Sequence, residues 1–530
     1  MYIFVTAFLG AVILLLFYLK TSQKLNYFQE RNFPYAKTSV HELLRKMVEF
    51  VLRLKSIDAV VQDIYDSGAG MKYFGQIGLH KNEIVIRDPD IIYNIMIKDF
   101  SYFMDRPFPV DEKNDPLSAH LFSLKGDRWR GLRYKLAPTF TTGKLRSMFK
   151  QLTESSDSIT NYISSKPNTC LEVKQLSYCY ILDVIASVAF GMKVEAHKYL
   201  DGEKSEFVEM SLRFFRMNNM RYFKFFMITF FKSFSKFIGL TLTEDDVKAF
   251  FFDLVKNIIK YREETGTKSN DFLQLLINMK EQDEENGGRV EEARKEMMKH
   301  EEEDKELFEN LDTSKKGAQH FKITDTHLAA NTFVFISGGS ESTSTALTFA
   351  LLEIACNPPV QQRMQEEIDS VLMDQELSFS AVNSMTYLNQ VVLEVFRKHP
   401  PIALLNRLCV QDYKIPDTDH VIRKGDEIIL PVSSIHNDPE NFPNPEVFDP
   451  DRFLYPDSIR KGTYLPFGMG PRFCIAMRFA ILSVKVLLVK IFMAYSIKIS
   501  PKTIMPIKMK TEFFTKGIQG GLWIDFEARN

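Results

Sequence analysis

The chain has 530 residues, 67 Lys and Arg against 68 Asp and Glu, a net charge of −1 and 45% hydrophobic residues. Near-neutrality excludes the basic field that a nucleic-acid binder needs. The five cysteines (Cys170, Cys179, Cys356, Cys409, Cys474) are scattered, with no CxxC pair, which excludes a disulfide framework and a zinc site of ordinary spacing.

In chain order, Ile3 to Leu19 is an uncharged apolar run at the short end of what crosses a bilayer. No basic residue precedes it, no small-x-small cleavage site comes after it, and Lys20, Lys24 and Arg31 lie just beyond. Residues 1–20 are therefore expected to be an uncleaved N-terminal membrane anchor with its C-terminal side in the cytoplasm, and 21–34 a linker. No Pro/Gly/Ser-rich stretch divides the remaining chain, so 35–530 reads as one domain. Gln76–Leu79 and Glu83–Ile86 read as paired strands turning at Lys81-Asn82, and Asp90–Ile97 as a helix after Pro89. Helical patterns dominate from 125 to 395.

Within Gly126–Arg133, Trp129 and Arg133 stand at i and i+4, so an indole N–H and a guanidinium share one helix face and can both donate to a carboxylate. Met210–Leu242 is rich in Phe, Met and Lys, including Phe223, Phe225, Phe226, Phe230, Phe231 and Phe234. Ordinary helix packing and a patch dipping into a membrane interface both account for it. Residues 281–319 are dense in Glu and Lys and read as a solvated helix or flexible insertion. The apolar run from Phe333 is interrupted by Gly338 and Gly339 and then by Glu341, Ser342 and Thr343. Each mid-helix glycine costs about 1 kcal/mol relative to alanine, so the pair points to a close approach or a bulge. Glu394 and Arg397, at i and i+3, are spaced for an ion pair. Arg407, His436 in Ile435–Pro439, and Arg452 in Phe448–Phe453 come next. The last motif is Phe467-Gly468-Met469-Gly470-Pro471-Arg472-Phe473-Cys474-Ile475-Ala476. Its glycines permit positive φ, and the apolar run Ile475–Val489 continues as a helix whose N-terminal end can stabilise a negative sulfur. That arrangement suits a metal-bound thiolate.

This stretch resembles the haem-binding loop of the cytochrome P-450 superfamily, with Phe467, Gly468, Gly470, Arg472, Cys474 and Ala476 in its places. The Trp-x-x-x-Arg helix, the Glu-x-x-Arg pair and the acid–alcohol helix resemble other motifs of the family, so the likeness covers nearly the whole chain after the anchor. Asp115–Leu124 and Gly470–Ala480 look most like insect microsomal members, many of which act on plant toxins, insecticides and lipophilic endogenous compounds.

The resemblance implies a mainly α fold with small β-sheets and a haem b held between two helices. Cys474 would be the axial ligand. Trp129, Arg133, Arg407 and Arg472, with His436 as a further candidate, would donate to the propionates. Glu341 and Ser342 would relay protons, with Ser342 standing where the family usually has Thr. Glu394, Arg397 and Arg452 would form a buried lock. Phe108, Val110, Leu117, Phe122, Phe514 and Thr515 fall in segments that line the family's substrate pocket, and Met210–Leu242 in the lid over it.

The expected reaction is insertion of one oxygen atom from dioxygen into a lipophilic small molecule. Electrons would come from NADPH through a separate cytochrome P-450 reductase, with cytochrome b5 as a possible second donor, at the endoplasmic reticulum membrane. Lys125, Arg128, Arg130, Lys135 and Arg478 are candidates for a basic docking patch. A haem-thiolate isomerase or dehydratase, or a haem-bearing carrier, would share the loop, but the acid–alcohol pair argues against both. A nicotinamide site fails: Gly468-Met469-Gly470 lacks the third glycine, and Gly68-Ala69-Gly70 meets Tyr73.

Overall fold

The computed structural model describes residues 27–78, 82–166, 170–216, 218–288, 320–511 and 516–529. The expected anchor, Leu79, most of the charged insertion (289–319), Phe514 and Thr515 lie outside these. The architecture is helix-rich with small sheets, and strands of the largest sheet contribute Ile84, Ile86, Ile428 and Leu430 to a second buried core. Five helices position the site: α1 (Gly126–Leu136), α2 (Val173–Phe190), α3 (Asp325–Cys356), α4 (Thr386–Lys398) and α5 (Met477–Ala494).

The long helix α3 starts from a reciprocal cap: the Thr324 hydroxyl accepts from the His327 N–H, and the Thr324 N–H donates to His327 Nδ1 at 3.2 Å. Its mid-helix glycines produce no bulge; the helix runs unbroken. A Cβ at Gly339 would lie 2.9 Å from Ile185 Cδ1, so this glycine lets α2 pack tightly against α3. Gly338 faces the other way, onto open space. Fifteen of the eighteen residues of α2 are buried, and Gly191, at φ +67°, ends it. The main core gathers Ile185 and Val188 of α2, Leu347 and Leu351 of α3, Val391 of α4 and Leu488 of α5.

Of the strands, β1 (Tyr73–Ile77), β2 (Asn82–Ile86), β4 (Leu405–Leu408) and β7 (Glu427–Leu430) form one sheet in the order β1-β2-β7-β4. Strands β1 and β2 pair antiparallel with Gln76 opposite Glu83, while β2 and β7 are parallel. A second sheet joins β3 (Cys170–Glu172), β9 (Trp523–Ala528) and β8 (Tyr495–Ile499), and β5 (Tyr413–Lys414) pairs with β6 (Val421–Ile422). The expected helix over 90–97 begins at Pro89, with Asp88 as its cap, and passes into a π turn at Asn94–Lys98.

The phenylalanine-rich region forms the helices Glu206–Phe215, Asn219–Phe230 and Lys232–Phe237. Phe214 stacks edge-on against Phe333 of α3 at 4.9 Å. Met220, Phe223, Phe231, Phe234 and Phe237 are exposed, and Arg53 joins this region to the N-terminal part of the chain by a 2.7 Å bond to Asn219. Asp283, within the stretch read as solvated, is buried. It is paired with Lys135 of α1 and accepts from the Ile323 N–H at 2.9 Å. Lys135 is therefore not part of an exposed basic patch. Arg130 is also buried, and Arg128 is paired with Glu112 at 2.6 Å.

Candidate active site

Cys474 lies on the loop that enters α5. Its N–H donates to the Phe467 carbonyl at 2.8 Å, and Gly470-Pro471-Arg472 form a single 3-10 turn between them. Gly470 has φ +68°, and a Cβ there would sit 1.8 Å from the Met96 carbonyl oxygen, so only glycine fits. Phe467 packs on Phe396 of α4, ring centroids 4.7 Å apart. Burial pushes the Cys474 thiol up, while the Ala476 N–H and the guanidiniums of Arg133 and Arg106 push it down. All five cysteines are free.

Around this sulfur the chain assembles four guanidiniums. Arg133 of α1 is buried, and its Nε and Nη2 have no hydrogen-bond partner. Burial drives it down to about 9, with the Cys474 thiol opposing. Arg407 of β4 is buried, gives Nη1 to the Asn406 carbonyl at 2.8 Å and leaves Nε without a partner. Arg106, driven down to about 10 by burial, interacts unfavourably with Arg133, Arg407 and Arg472. Arg472 differs in use. Its Nε donates to the Met104 carbonyl at 2.7 Å and its Nη2 to the Leu124 carbonyl at 2.7 Å, and its plane lies 4.2 Å from the Trp129 ring. It clamps the 104–124 segment onto the cysteine loop.

Among the described residues, the carboxylate near these cations is Asp105, 3.8 Å from Arg472. Buried cations short of counter-charge, with guanidinium nitrogens unpartnered, make a site completed by an anionic group. The two propionates of a haem would fit that requirement, with Cys474 as the thiolate and Arg133 and Arg407 as donors.

Glu394 and Arg397 are fully buried and bonded twice, Nε to Oε2 and Nη2 to Oε1, both at 2.7 Å. Arg452 Nε lies 3.5 Å from Glu394, whose Oε1 also accepts the Asp449 N–H at 3.1 Å. His436 is not a propionate donor. Its Nδ1 meets the Arg397 carbonyl at 2.9 Å and its Nε2 accepts the Leu465 N–H at 2.8 Å, so both ring nitrogens are spent on backbone. It links the Glu394–Arg397 pair to the root of the cysteine loop. Burial holds it neutral, down to about 3.

On α3, the Ser342 hydroxyl bonds back to the Gly338 carbonyl at 2.6 Å, on the exposed side of the helix. Glu341 turns towards α2, with Oε1 2.8 Å from Lys174 Nζ.

The family profile described as Cytochrome P450 matches residues 71–523. The chain belongs to the cytochrome P450 family. It is 33% identical to Cytochrome P450 9e2 of Blattella germanica over 98% of this chain and 96% of that protein. It is also similar to Probable cytochrome P450 6a14 of Drosophila melanogaster (34%, covering 87% and 86%) and Cytochrome P450 6a2 of the same insect (32%, covering 95% of each). As a cytochrome P450 it is a monooxygenase with thiolate-ligated haem b, served by a redox partner and acting on lipophilic molecules.

Two members of this P450's polar cluster escape sequence reading. Arg106 stands alone before Pro107, with no spacing that marks it. His120, next to it, is held down to about 4 by burial and by the Arg106 charge. Lys174 is likewise invisible: its partner Glu341 lies 167 residues away.

Proposed function

We propose that this cytochrome P450 is an N-terminally anchored enzyme of the endoplasmic reticulum, with its catalytic domain (35–530) on the cytoplasmic side. It inserts oxygen into lipophilic xenobiotic or endogenous compounds, using electrons from NADPH delivered by a separate cytochrome P450 reductase, with cytochrome b5 as an auxiliary donor. The observation that carries the reading is the free Cys474 on its glycine loop, beside a guanidinium cluster that is short of counter-charge among the described residues, with Asp105 near Arg472 alone. Cys474 would ligate the iron, and Arg133, Arg407 and Arg106, with Trp129, would take the propionates. Arg472 holds the loop that closes over them. The bound haem supplies the activation of dioxygen, favoured by electron donation from the thiolate.

The protein's own residues do the rest. Ser342 presents a hydroxyl beside the open face at Gly338, able to hold a proton or water there; without the methyl of threonine its χ1 is freer. Glu341 supplies a carboxylate one residue earlier, about 100° round the helix. Phe108 and Phe122, with rings 5.1 Å apart, offer apolar surface to a lipophilic ligand, whereas Leu117 belongs to the core. The exposed aromatic face of 220–237, with Leu52 and Leu54, suits contact with a bilayer surface.

The test is turnover of lipophilic probe compounds by membranes containing the protein, reductase and NADPH under labelled dioxygen. One labelled oxygen atom per product is expected. NADPH-independent conversion, or label arriving from water, contradicts the reading.

A further inference from the structure

Two consecutive residues of the cysteine loop meet the two motif residues of α1 in a crossed arrangement. The Arg472 guanidinium lies over the Trp129 ring, 4.2 Å from its centroid, and the Arg133 guanidinium lies over the Phe473 ring, 4.8 Å from its centroid. Each element thus gives one cation and presents one ring. We propose that Phe473 is a positioning residue for the cofactor: its ring holds the Arg133 guanidinium without taking a hydrogen bond from it, and so keeps the N–H donors for a carboxylate of the haem. The inference rests on the haem-thiolate reading and adds to it a side chain with no polar atom.

The backbone fixes where the ring stands. The Phe473 N–H donates to the Gly470 carbonyl at 2.9 Å and closes the 3-10 turn, and the Cys474 N–H that follows donates to the Phe467 carbonyl at 2.8 Å. Phe473 is 9% exposed, so its ring is packed in place. On the other side, Trp129 and Arg133 stand at i and i+4 on one face of α1, which lets them reach two adjacent loop residues.

The two arginines of the crossed pair are held in different ways. Arg472 spends Nε and Nη2 on the carbonyls of Met104 and Leu124. Arg133 is 3% exposed, yet its Nε and Nη2 have no hydrogen-bond partner among the described residues. Hydrogen bonds from those two nitrogens therefore do not set the orientation of this long side chain. A ring face within about 6 Å attracts a cation through its quadrupole, and more strongly where water is excluded. That attraction consumes no N–H donor of the guanidinium, which has five in a fixed fork. Arg133 is thereby anchored with its fork unspent, as recognition of a carboxylate by two parallel bonds requires. Leucine at position 473 would keep apolar bulk beside Arg133 and remove the negative ring face.

The test is a double-mutant cycle on the rate of haem transfer from the loaded protein to apomyoglobin. It compares wild type, Phe473→Leu, Arg133→Leu and the double variant, with Phe473→Tyr as the variant that keeps a ring. Phe473→Leu is expected to speed haem loss roughly fivefold or more, while Phe473→Tyr stays within about twofold of wild type. In the Arg133→Leu background, Phe473→Leu should add less than about twofold, because the ring then has no cation to hold. A ring that serves only to fill space would give the same factor in both backgrounds, and that result overturns the inference. So does a Phe473→Leu variant that keeps haem as wild type does, or a Phe473→Tyr variant that loses it as fast as Phe473→Leu. In all three cases a thiolate-type carbon monoxide spectrum of the wild-type protein leaves the haem-thiolate reading standing. If Phe473→Leu does not load haem, Phe473→Met replaces it, with the same outcomes required. A wild-type protein without that spectrum overturns the reading and the inference with it.

Discussion

Four arginines meet at one site and use their donors differently. Arg472 gives its best bonds to the Met104 and Leu124 carbonyls, whereas Arg133 and Arg407 keep nitrogens unpartnered in the interior. Replacing each by leucine should therefore separate fold from cofactor. Charge-assisted hydrogen bonds contribute roughly 1.5–3 kcal/mol each, so Arg133→Leu and Arg407→Leu should weaken haem retention about tenfold or more. The polypeptide should remain soluble, because each change removes an uncompensated buried cation. Arg472→Leu should instead lower expression and thermal stability. Haem transfer to apomyoglobin measures the first effect and thermal melts the second; equal haem loss in all three would contradict the division. Arg133, Arg472 and Cys474 are legible in the sequence because each sits in a short motif, a helical i, i+4 pair or the glycine loop, whereas Arg407 carries no local pattern and is reached through the family resemblance. Arg106 and Lys174 are not legible, because their partners lie in distant segments that only folding brings near. His436 shows the converse. Its position in a turn says nothing about which atoms its ring will meet, and both nitrogens turn out to be spent on backbone.

At the scale of elements, α4 and the cysteine loop are tied by the Glu394–Arg397 pair, the His436 ring and the Phe396–Phe467 contact. Glu394→Ala would leave the Arg397 guanidinium buried without its carboxylate, a loss of about 3–5 kcal/mol. Arg452→Ala should cost less, since its contact to Glu394 is 3.5 Å and its side chain is partly exposed. Chemical denaturation with haem absorbance as the signal would show the ordering; an Arg452 variant less stable than the Glu394 variant would contradict it. The spacing of Glu394 and Arg397 makes their pairing legible, but their complete burial depends on the 436–452 segment wrapping over α4. Likewise, the two mid-helix glycines of α3 announce a special backbone, while their separate uses depend on where α2 lies: close packing at Gly339 and an open face at Gly338.

For the molecule as a whole, a buried neutral histidine links stability to pH. Burial lowers His436 to about 3 from an ordinary value of 6.5. Between those values the unfolded chain binds the extra proton and the folded chain does not, so stability is full above about 6.5 and falls as pH drops. The slope is up to about 1.4 kcal/mol per pH unit for one such group. His120, down to about 4, adds to it in the upper part of that window. Urea melts at pH 7, 6 and 5 should show the loss, and His436→Asn should flatten the slope; a pH-independent midpoint would contradict the burial. The helix-rich class is legible from the patterns after residue 125. The sheet order β1-β2-β7-β4 is not, because it joins strands separated by more than 300 residues.

The most direct measurement is a carbon monoxide difference spectrum of the reduced protein beside its Cys474→His variant. The wild-type protein should give the strongly red-shifted Soret band of a thiolate-ligated haem, and the variant should lose that band while still binding haem. A wild-type spectrum without that shift, or a variant that keeps it, would contradict the assignment of Cys474 as the iron ligand.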